Sequence, residues 1–331
     1  MSFDNIRLEK GLYATSKGFT ASLEELDPSE NYIGTELEGL DAYQRQLKRF
    51  DIKVSGTGSD TVSKFFKTSD SAVLFPEYIS RAVRIGMEEN SVIDKIVATT
   101  TEIDSLDYRA VTVDNKADDY TLDMVAEGAF IPEMKIITRD SLTPLIKHGK
   151  SLVASYEAIK FQKLDLFTIM LKHIGESIAR AQFNDAYSTI LGSASYEKQV
   201  ETTELTYADM VDFWTTFAPY NLTTIIADKT DICRILKLSE FRDAAAGLNF
   251  HGNGSLISPF GAELIRVDDS ISGNMIIGID KNFTLEKVQA GGVVTDYDKL
   301  IDRQLERAVI STITGYSVIF DGAIGSLVVT E

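Results

Sequence analysis

LDLFTIMLKHIGESIARAQFNDAYSTILG, residues 164–192, decides how the rest of the chain is read. Leu164, Phe167, Leu171, Ile174, Ile178 and Ala181 recur at spacings of 3, 4, 3, 4 and 3, which places them on one face of a helix. Asp165 stands where a carboxylate accepts from the free amides of a first turn, and Gly192 offers the left-handed conformation that stops a helix. A run of about 26 residues at ~1.5 Å each is roughly 40 Å long, longer than most globular helices. Lys172, Glu176 and Arg180 sit four apart on its polar side, spaced to pair along it. The heptad fades after three turns, so the pattern predicts a helix laid on a core rather than a coiled coil.

Downstream, residues 193–303 read as a separate α/β unit. Thr206 with Asp209 resembles a short capping box ahead of Met210, Val211, Trp214 and Phe217. TTIIA, 223–227, reads as a buried strand, Asp228 as the cap of the helix TDICRILKL, and AELIRV and NMIIGID as strands beyond the exposed Gly-rich loop GLNFHGNGS. QLERAVISTITGYSVIF, 304–320, alternates like a strand that must return to a sheet formed near residues 92–155. The middle unit is then an insertion between parts of another domain.

Upstream, VIDKIVATTTEIDSLDYRAVTV, 92–113, is rich in β-branched residues, and the chain is extended again from Met124 through MKIITRD to LIKHGKSLVAS. Residues 102–140 therefore read as a long hairpin with the acidic tip DNKADDYTLD. A two-stranded ribbon holds little core of its own, so its covering surface is expected on another molecule. Nearer the start, residues 1–53 hold one amphipathic helix, marked by Leu40, Tyr43, Leu47 and Phe50, with charged ends that offer no core. SGTGSD, 55–60, reads as flexible punctuation, and Phe75 and Pro76 open a second helical pattern through Ile79, Val83 and Met87.

Composition narrows the function classes. A chain of 331 residues, 44% hydrophobic and 25% charged, has ample core and is neither disordered nor fibrous. Its 33 basic against 50 acidic residues leave a net charge of −17, which repels nucleic-acid phosphates and anionic lipid at long range and argues against sequence-reading of DNA. MSFDNIRLEKGLYATSKGF lacks the apolar core of a signal peptide, and no run approaches the ~20 apolar residues of a membrane span, so the protein is expected to be made and kept in a cytoplasm. The single cysteine, Cys233, closes no internal disulfide, which leaves packing, metal or association to supply stability.

Catalytic patterns are missing. His148, His173 and His251 lie 25 and 78 positions apart, which is no metal-ligand spacing, and none pairs with Cys233. HGKS, 148–151, ends like a phosphate loop, yet Pro144 occupies the position of the required first glycine, and the segment reads as strand. The acidic tip places Lys116 third and Asp119 sixth, where a calcium loop needs a ligand and a glycine. No G-x-S-x-G elbow occurs. Glu127 and Glu133 in VAEGAFIPE, 125–133, are the one pair of carboxylates that suggests acid and base work, with no independent support.

The order of elements, with VAEGAFIPE, LIKHGKSLVASYEAI, the long helix and the closing GIDKNFTLEKV and RQLERAVISTITGYSVIFDGAIGSLV, resembles the major capsid proteins of tailed bacteriophages, with the Hong Kong 97-type fold, over roughly residues 73–328. The resemblance implies an α+β subunit that tiles into hexamers and pentamers of an icosahedral shell around a double-stranded DNA genome. It implies an N-terminal arm (1–72) that ties capsomers together and a peripheral domain (73–101 and 141–192) with a spine helix over 157–191. The extended loop (102–140) would lie over a neighbour, the axial α/β domain would span 193–303, and 304–331 would return to the peripheral sheet. It implies no enzyme activity, no cofactor and no metal. Expected partners are further copies, a portal, scaffold or decoration proteins, and packaged DNA held without sequence preference, with no membrane. The protein would reside in the virion after assembly in the host cytoplasm.

Within the extended loop, Gly128 and Ala129 allow a bend, Phe130 and Ile131 form an apolar anchor, and Pro132 withholds an amide at an edge. Glu127, Phe130, Ile131, Glu133 and Lys135 are the candidate contacts with a neighbouring subunit. Some relatives weld subunits through a lysine on this loop and an asparagine near the C-terminus. Lys116 and Lys135 are available, but residues 293–331 contain no asparagine, so a noncovalent shell is expected. The arm is expected to be retained rather than cleaved. The alternatives are an encapsulin-type nanocompartment, which shares the fold and packages cargo enzymes, and a cytoplasmic hydrolase using Glu127 and Glu133.

Overall fold

The computed structural model describes residues 3–14, 18–113, 124–131, 135–155, 157, 161–194, 197–200, 204–242, 261–268, 275–300 and 305–329. Helix α1 (Phe19–Leu26) precedes α2 (Ala42–Arg49), which starts in a capping box: the Asp41 carboxylate accepts from Gln44 N, and the Gln44 side chain accepts from Asp41 N. Thr68 and Ser71 begin α3 (Ser69–Val73) the same way, and Pro76 in the first turn of α4 (Phe75–Glu89) forfeits no helical hydrogen bond. Strands β1 (Val97–Ile103), β2 (Val111–Val113), β3 (Ile136–Thr138) and β4 (Leu145–Ser155) follow, then the long helix α5 (Leu164–Gly192). After β5 (Glu197–Val200), Thr206 and Asp209 form the capping box of α6 (Tyr207–Thr215). Asp228 ends β6 (Thr224–Ala227) and caps α7 (Lys229–Lys237), accepting from Asp231 N at 2.7 Å. Next come α8 (Ser239–Arg242), β7 (Glu263–Arg266), β8 (Met275–Ile279), β9 (Leu285–Ala290), β10 (Val294–Leu300), β11 (Leu305–Val318) and β12 (Ile324–Val329).

Contacts divide the chain into two compact units, the first made of Met1–Ser91, His148–Ala179 and Val293–Thr312. Its core is built on the periodic face of α5, where Leu164, Phe167, Leu171, Ile174 and Ile178 are buried among Phe65, Phe75, Tyr78, Ile79 and Val83. Ala181, the sixth member of the pattern, is half-buried. The same core takes in Ile6, Leu8, Phe19, Leu23, Tyr43 and Leu47. The charged ends around α2, expected to offer no core, are thus corrected: their few apolar residues are too widely spaced to show a period, and folding collects them on one surface. Helices α4 and α5 approach backbone to backbone at two glycines. A Cβ on Gly86 would stand 2.2 Å from Lys172 O, and one on Gly175 would stand 2.1 Å from Val83 O. In this unit β10 pairs antiparallel with the first half of β11, from Val294↔Ser311 to Leu300↔Leu305.

Three details of α5 differ from the sequence reading. The Asp165 carboxylate accepts from Gly56 N at 3.4 Å, so it serves the turn at 55–60 and not its own helix. Gly192 is the last helical residue, without a positive φ. Lys172 reaches across to Glu89 on α4 at 2.7 Å, and Glu176 meets His173 at 3.2 Å.

The 55–60 turn is held by Lys64, whose ammonium pairs with Asp60 at 2.9 Å and Asp51 at 3.1 Å. Burial pushes Asp60 up, but the Lys53 amide and the Lys64 ammonium more than offset it and hold the carboxyl below its usual range. A depressed carboxylate stabilises the fold above its ordinary pKa, and that contribution is lost as pH falls through the depressed value. Lys64→Met is expected to cost up to about 1 kcal/mol at neutral pH, with the difference from wild type closing once the pH has fallen below the depressed Asp60 value. Urea unfolding at the two pH values checks it, and a gap that widens in acid would refute it.

The second unit comprises Val92–Lys147, Arg180–Gly292 and Ile313–Glu331. One sheet runs β5-β12-β8-β6-β7, with β12 parallel to β5 and antiparallel to β8, and β6 antiparallel to β8 and parallel to β7. Phe183, Ala186, Tyr187 and Ile190 of α5 are buried with Ile226, Ile277 and Ile279, while Met210, Phe213 and Phe217 form a further core with Ile225, Ile276 and Leu327. Elsewhere in the unit, β1 pairs parallel with β9, and β9 pairs antiparallel with residues 314–318 of β11.

This division departs from the one expected at 193–303 and 304–331. Strand β9 lies inside the expected insertion but pairs with β1, and β12 lies in the expected return segment but sits between β5 and β8. Both strands are short, and nothing in their periods names a partner; backbone pairing is settled by the edges available when the sheets close.

Candidate interaction surface

The described residues 108–113 and 135–143 build the core of the surface that the sequence singled out. Strands β2 and β3 pair antiparallel, Val111↔Thr138, Thr112↔Ile137 and Val113↔Ile136, and the pairing extends outward through Arg139 N donating to Ala110 O (2.9 Å) and Thr143 N to Tyr108 O (2.8 Å). Residues alternate across such a ribbon, so Tyr108, Ala110, Thr112, Ile137 and Arg139 share one face. That face is held by its own unit: Thr112 Oγ1 donates to Ile319 O at 3.1 Å, Arg139 to Val318 O at 2.8 Å, and Tyr108 OH to Glu286 Oε1 at 2.6 Å. Thr101 Oγ1 donates to the same oxygen at 2.5 Å. Burial first, and then the bond to Glu286, raise the Tyr108 phenol above its ordinary range, so it stays a donor.

The opposite face is less covered, although Val113 on it is half-buried and Ile137 on the anchored face is 43% exposed. Val111 is 46% exposed and Ile136 72%; Phe130 (79%) and Ile131 (71%), on the segment before β3, are exposed as well. Exposed large apolar side chains of this kind are where contact with another molecule is to be looked for. Glu127 and Gly128 are the corners of a turn closed by Ala129 N donating to Ala126 O at 3.0 Å, with Gly128 at φ 81°, as a type II turn requires. The bend therefore falls one residue earlier than the Gly128-Ala129 pair suggested. Glu127 and Lys135 are exposed, Glu133 and Pro132 lie outside the described residues, and so do the acidic tip with Lys116 and the GLNFHGNGS loop.

Sequence reasoning picked out Phe130 and Ile131 but missed Val111, Ile136 and the face that anchors them. The signal was present in YRAVTV, 108–113, where Tyr108, Ala110 and Thr112 alternate with Arg109, Val111 and Val113. The remaining candidates do not converge. His148 sits half-buried in β4, His173 is exposed on α5, and His251 lies outside the described residues. HGKS is part of β4, as its strand reading required. Cys233 is exposed with a free thiol. Among the described residues no group of three or more His, Cys, Asp or Glu could hold a metal ion, and no helix is long and apolar enough to cross a membrane.

No family model matches the sequence. No curated protein matches it either. Solved structures do. A virus-like particle from Pyrococcus furiosus aligns with a TM-score of 0.51 at 13% identity, covering 76% of this chain and 98% of that one. Microbacterium phage Oxtober96 aligns at 0.54 and 10% identity, covering 72% and 91%. The mature capsid of bacteriophage PhiM1 aligns at 0.50 and 11% identity, covering 72% and 86%. At these identities the likeness is one of architecture, and the long helix, the antiparallel strands and the two-stranded ribbon agree with it: the chain has the Hong Kong 97-type capsid fold.

Proposed function

We propose that this chain is a major capsid protein, a subunit that assembles with copies of itself into the hexamers and pentamers of an icosahedral shell around a double-stranded DNA phage genome. The observation that carries the reading is the β2–β3 ribbon, which lays one face on its own unit and leaves Val111 and Ile136 bare. A single chain leaves that face in water; a tiling of copies covers it. The shared fold supports the reading, since the solved structures that carry it include a mature phage capsid and a virus-like particle. Glu127, Phe130, Ile131, Glu133 and Lys135 are then contacts with a neighbouring subunit, whereas the segment 1–72, expected as an arm to a further one, buries Ile6, Leu8, Phe19, Leu23, Tyr43 and Leu47 in the core of its own first unit. Shell closure needs no cofactor and no covalent weld, and the net charge of −17 keeps the wall from gripping packaged DNA. A portal and scaffold or decoration proteins are the remaining partners, assembly takes place in the host cytoplasm, and the mature protein resides in the virion.

A second reading, an encapsulin-type nanocompartment, draws on the alignment that spans 98% of the virus-like particle chain. Co-purification separates the two: DNA with portal and tail proteins, or a cargo enzyme. For the paired-glutamate hydrolase the geometry offers nothing, because Glu127 lies exposed on a turn rather than in a water-excluding cleft.

Electron microscopy of the purified protein tests the shell reading. Wild type is expected to form closed particles. Phe130→Asp with Ile131→Asp is expected to abolish them with circular dichroism unchanged, since burying each apolar side chain is worth about 1.5–3 kcal/mol and burying a carboxylate costs more. Small discrete oligomers from wild type, or normal particles from the variant, would sink the reading.

A further inference from the structure

The ribbon is anchored more firmly than a projecting loop needs to be. Three side chains on one face, Tyr108, Thr112 and Arg139, end on three acceptors of the same unit: the buried Glu286 carboxylate and the main-chain oxygens of Ile319 and Val318. Those two carbonyls lie where β11 ends. Arg139 is also 3.8 Å from Asp321, and its Nε is buried without a hydrogen-bond partner, so the guanidinium is held in place by the one end that bonds. Ala110, on the same face, is fully buried, whereas Val111 beside it is exposed. Residues 104–107 and 140–142, beside the anchored ribbon, carry no regular secondary structure and can act as hinges if the anchors let go.

We propose that Tyr108, Thr112 and Arg139 form a saddle that sets the pose of the ribbon within its own chain, so that the Val111–Ile136 face is presented preorganised to a second copy. The three are positioning residues for subunit association. A ribbon fixed in advance loses little conformational freedom on docking, whereas one that swings must be ordered at each encounter. The face offered is set as well, because a ribbon turned over would present Thr112, Ile137 and Arg139 in place of Val111 and Ile136. The association step rests on the shell reading; the saddle itself does not.

The test uses the full chain in two variants, Tyr108→Phe/Thr112→Val, close in shape to the original, and Arg139→Gln. Amide hydrogen exchange is read on unassembled protein, and the half-time of particle formation by light scattering. Exchange at 111–113 and 136–138 is expected to rise about ten-fold in each variant, while β8 and β12 keep their protection. Assembly is expected to slow several-fold, and Val111→Asp, which leaves the saddle intact, should block assembly without raising ribbon exchange. Unchanged exchange in both saddle variants overturns the proposal. So does a rise that spreads equally to β8 and β12, which would make the residues ordinary parts of the fold, and so does faster exchange with undiminished assembly. If wild type forms no particles, the shell reading fails, and exchange still decides the saddle.

Discussion

Arg45→Met is expected to destabilise the first unit by about 3–5 kcal/mol, the cost of leaving a buried charge without its partner. Arg45 is 0% exposed and Asp27 is 1% exposed. The guanidinium donates through Nε to Asp27 Oδ2 at 2.7 Å, through one terminal nitrogen to Ser29 Oγ (2.9 Å) and Leu40 O (2.6 Å), and through the other to Asp27 O. It also lies 4.4 Å from the centre of the Tyr32 ring. Methionine replaces the aliphatic stem of Arg45 but satisfies none of these acceptors. Adding Asp27→Asn removes the stranded charge and is expected to restore more than half of the loss, with the Asn amide still able to accept from Tyr32 OH, which donates to Asp27 Oδ1 at 2.6 Å. Urea unfolding of wild type and the two variants measures both steps. A single-variant loss below about 1 kcal/mol would show that the pair is not what holds residues 18–49 together.

Gly175→Ala sets two effects of opposite sign against each other. Helix propensity alone favours alanine by about 1 kcal/mol at an interior position. Against it, the new Cβ would lie 2.1 Å from Val83 O and 2.8 Å from Met87 N, and both atoms belong to backbone that cannot rotate away. Overpacking commonly costs 1–3 kcal/mol where side chains can adjust, so a backbone wall puts this change at about 3 kcal/mol or more, and packing wins. The net loss should lower the melting temperature by roughly 4–8 °C. Gly86→Ala is expected to behave the same way, and the double variant to cost less than the sum, because parting α4 from α5 once relieves both clashes. An equal or higher melting temperature for Gly175→Ala would mean that the crossing is looser than it stands.

These two sites differ in how far sequence could have found them. Gly175 lies in LDLFTIMLKHIGESIARAQFNDAYSTILG, where a glycine inside a strong helical period invites a packing explanation, but its partner Gly86 lies in another helix with nothing to link the two. Arg45 sits within the helical run of Tyr43 and Leu47, where a charged residue reads as solvated surface. Its burial depends on Asp27, Ser29 and Leu40 arriving from two other segments.

Local chemistry determined what sequence could determine. The 3-and-4 spacing placed the buried face of α5, Asp228 and the Thr206–Asp209 pair marked helix starts, and β-branched runs marked the strands of the ribbon, because each of these depends on residues within a few positions of one another. Tertiary structure decided the rest. It turned the charged N-terminal segment into core, put β12 between β5 and β8, moved Asp165 and Lys172 to partners outside their own helix, and divided the ribbon into an anchored and a less covered face. Each of those outcomes joins residues far apart in the chain. A short apolar strand or a lone charge is compatible with many such partners, and only the closing of the two cores selects one.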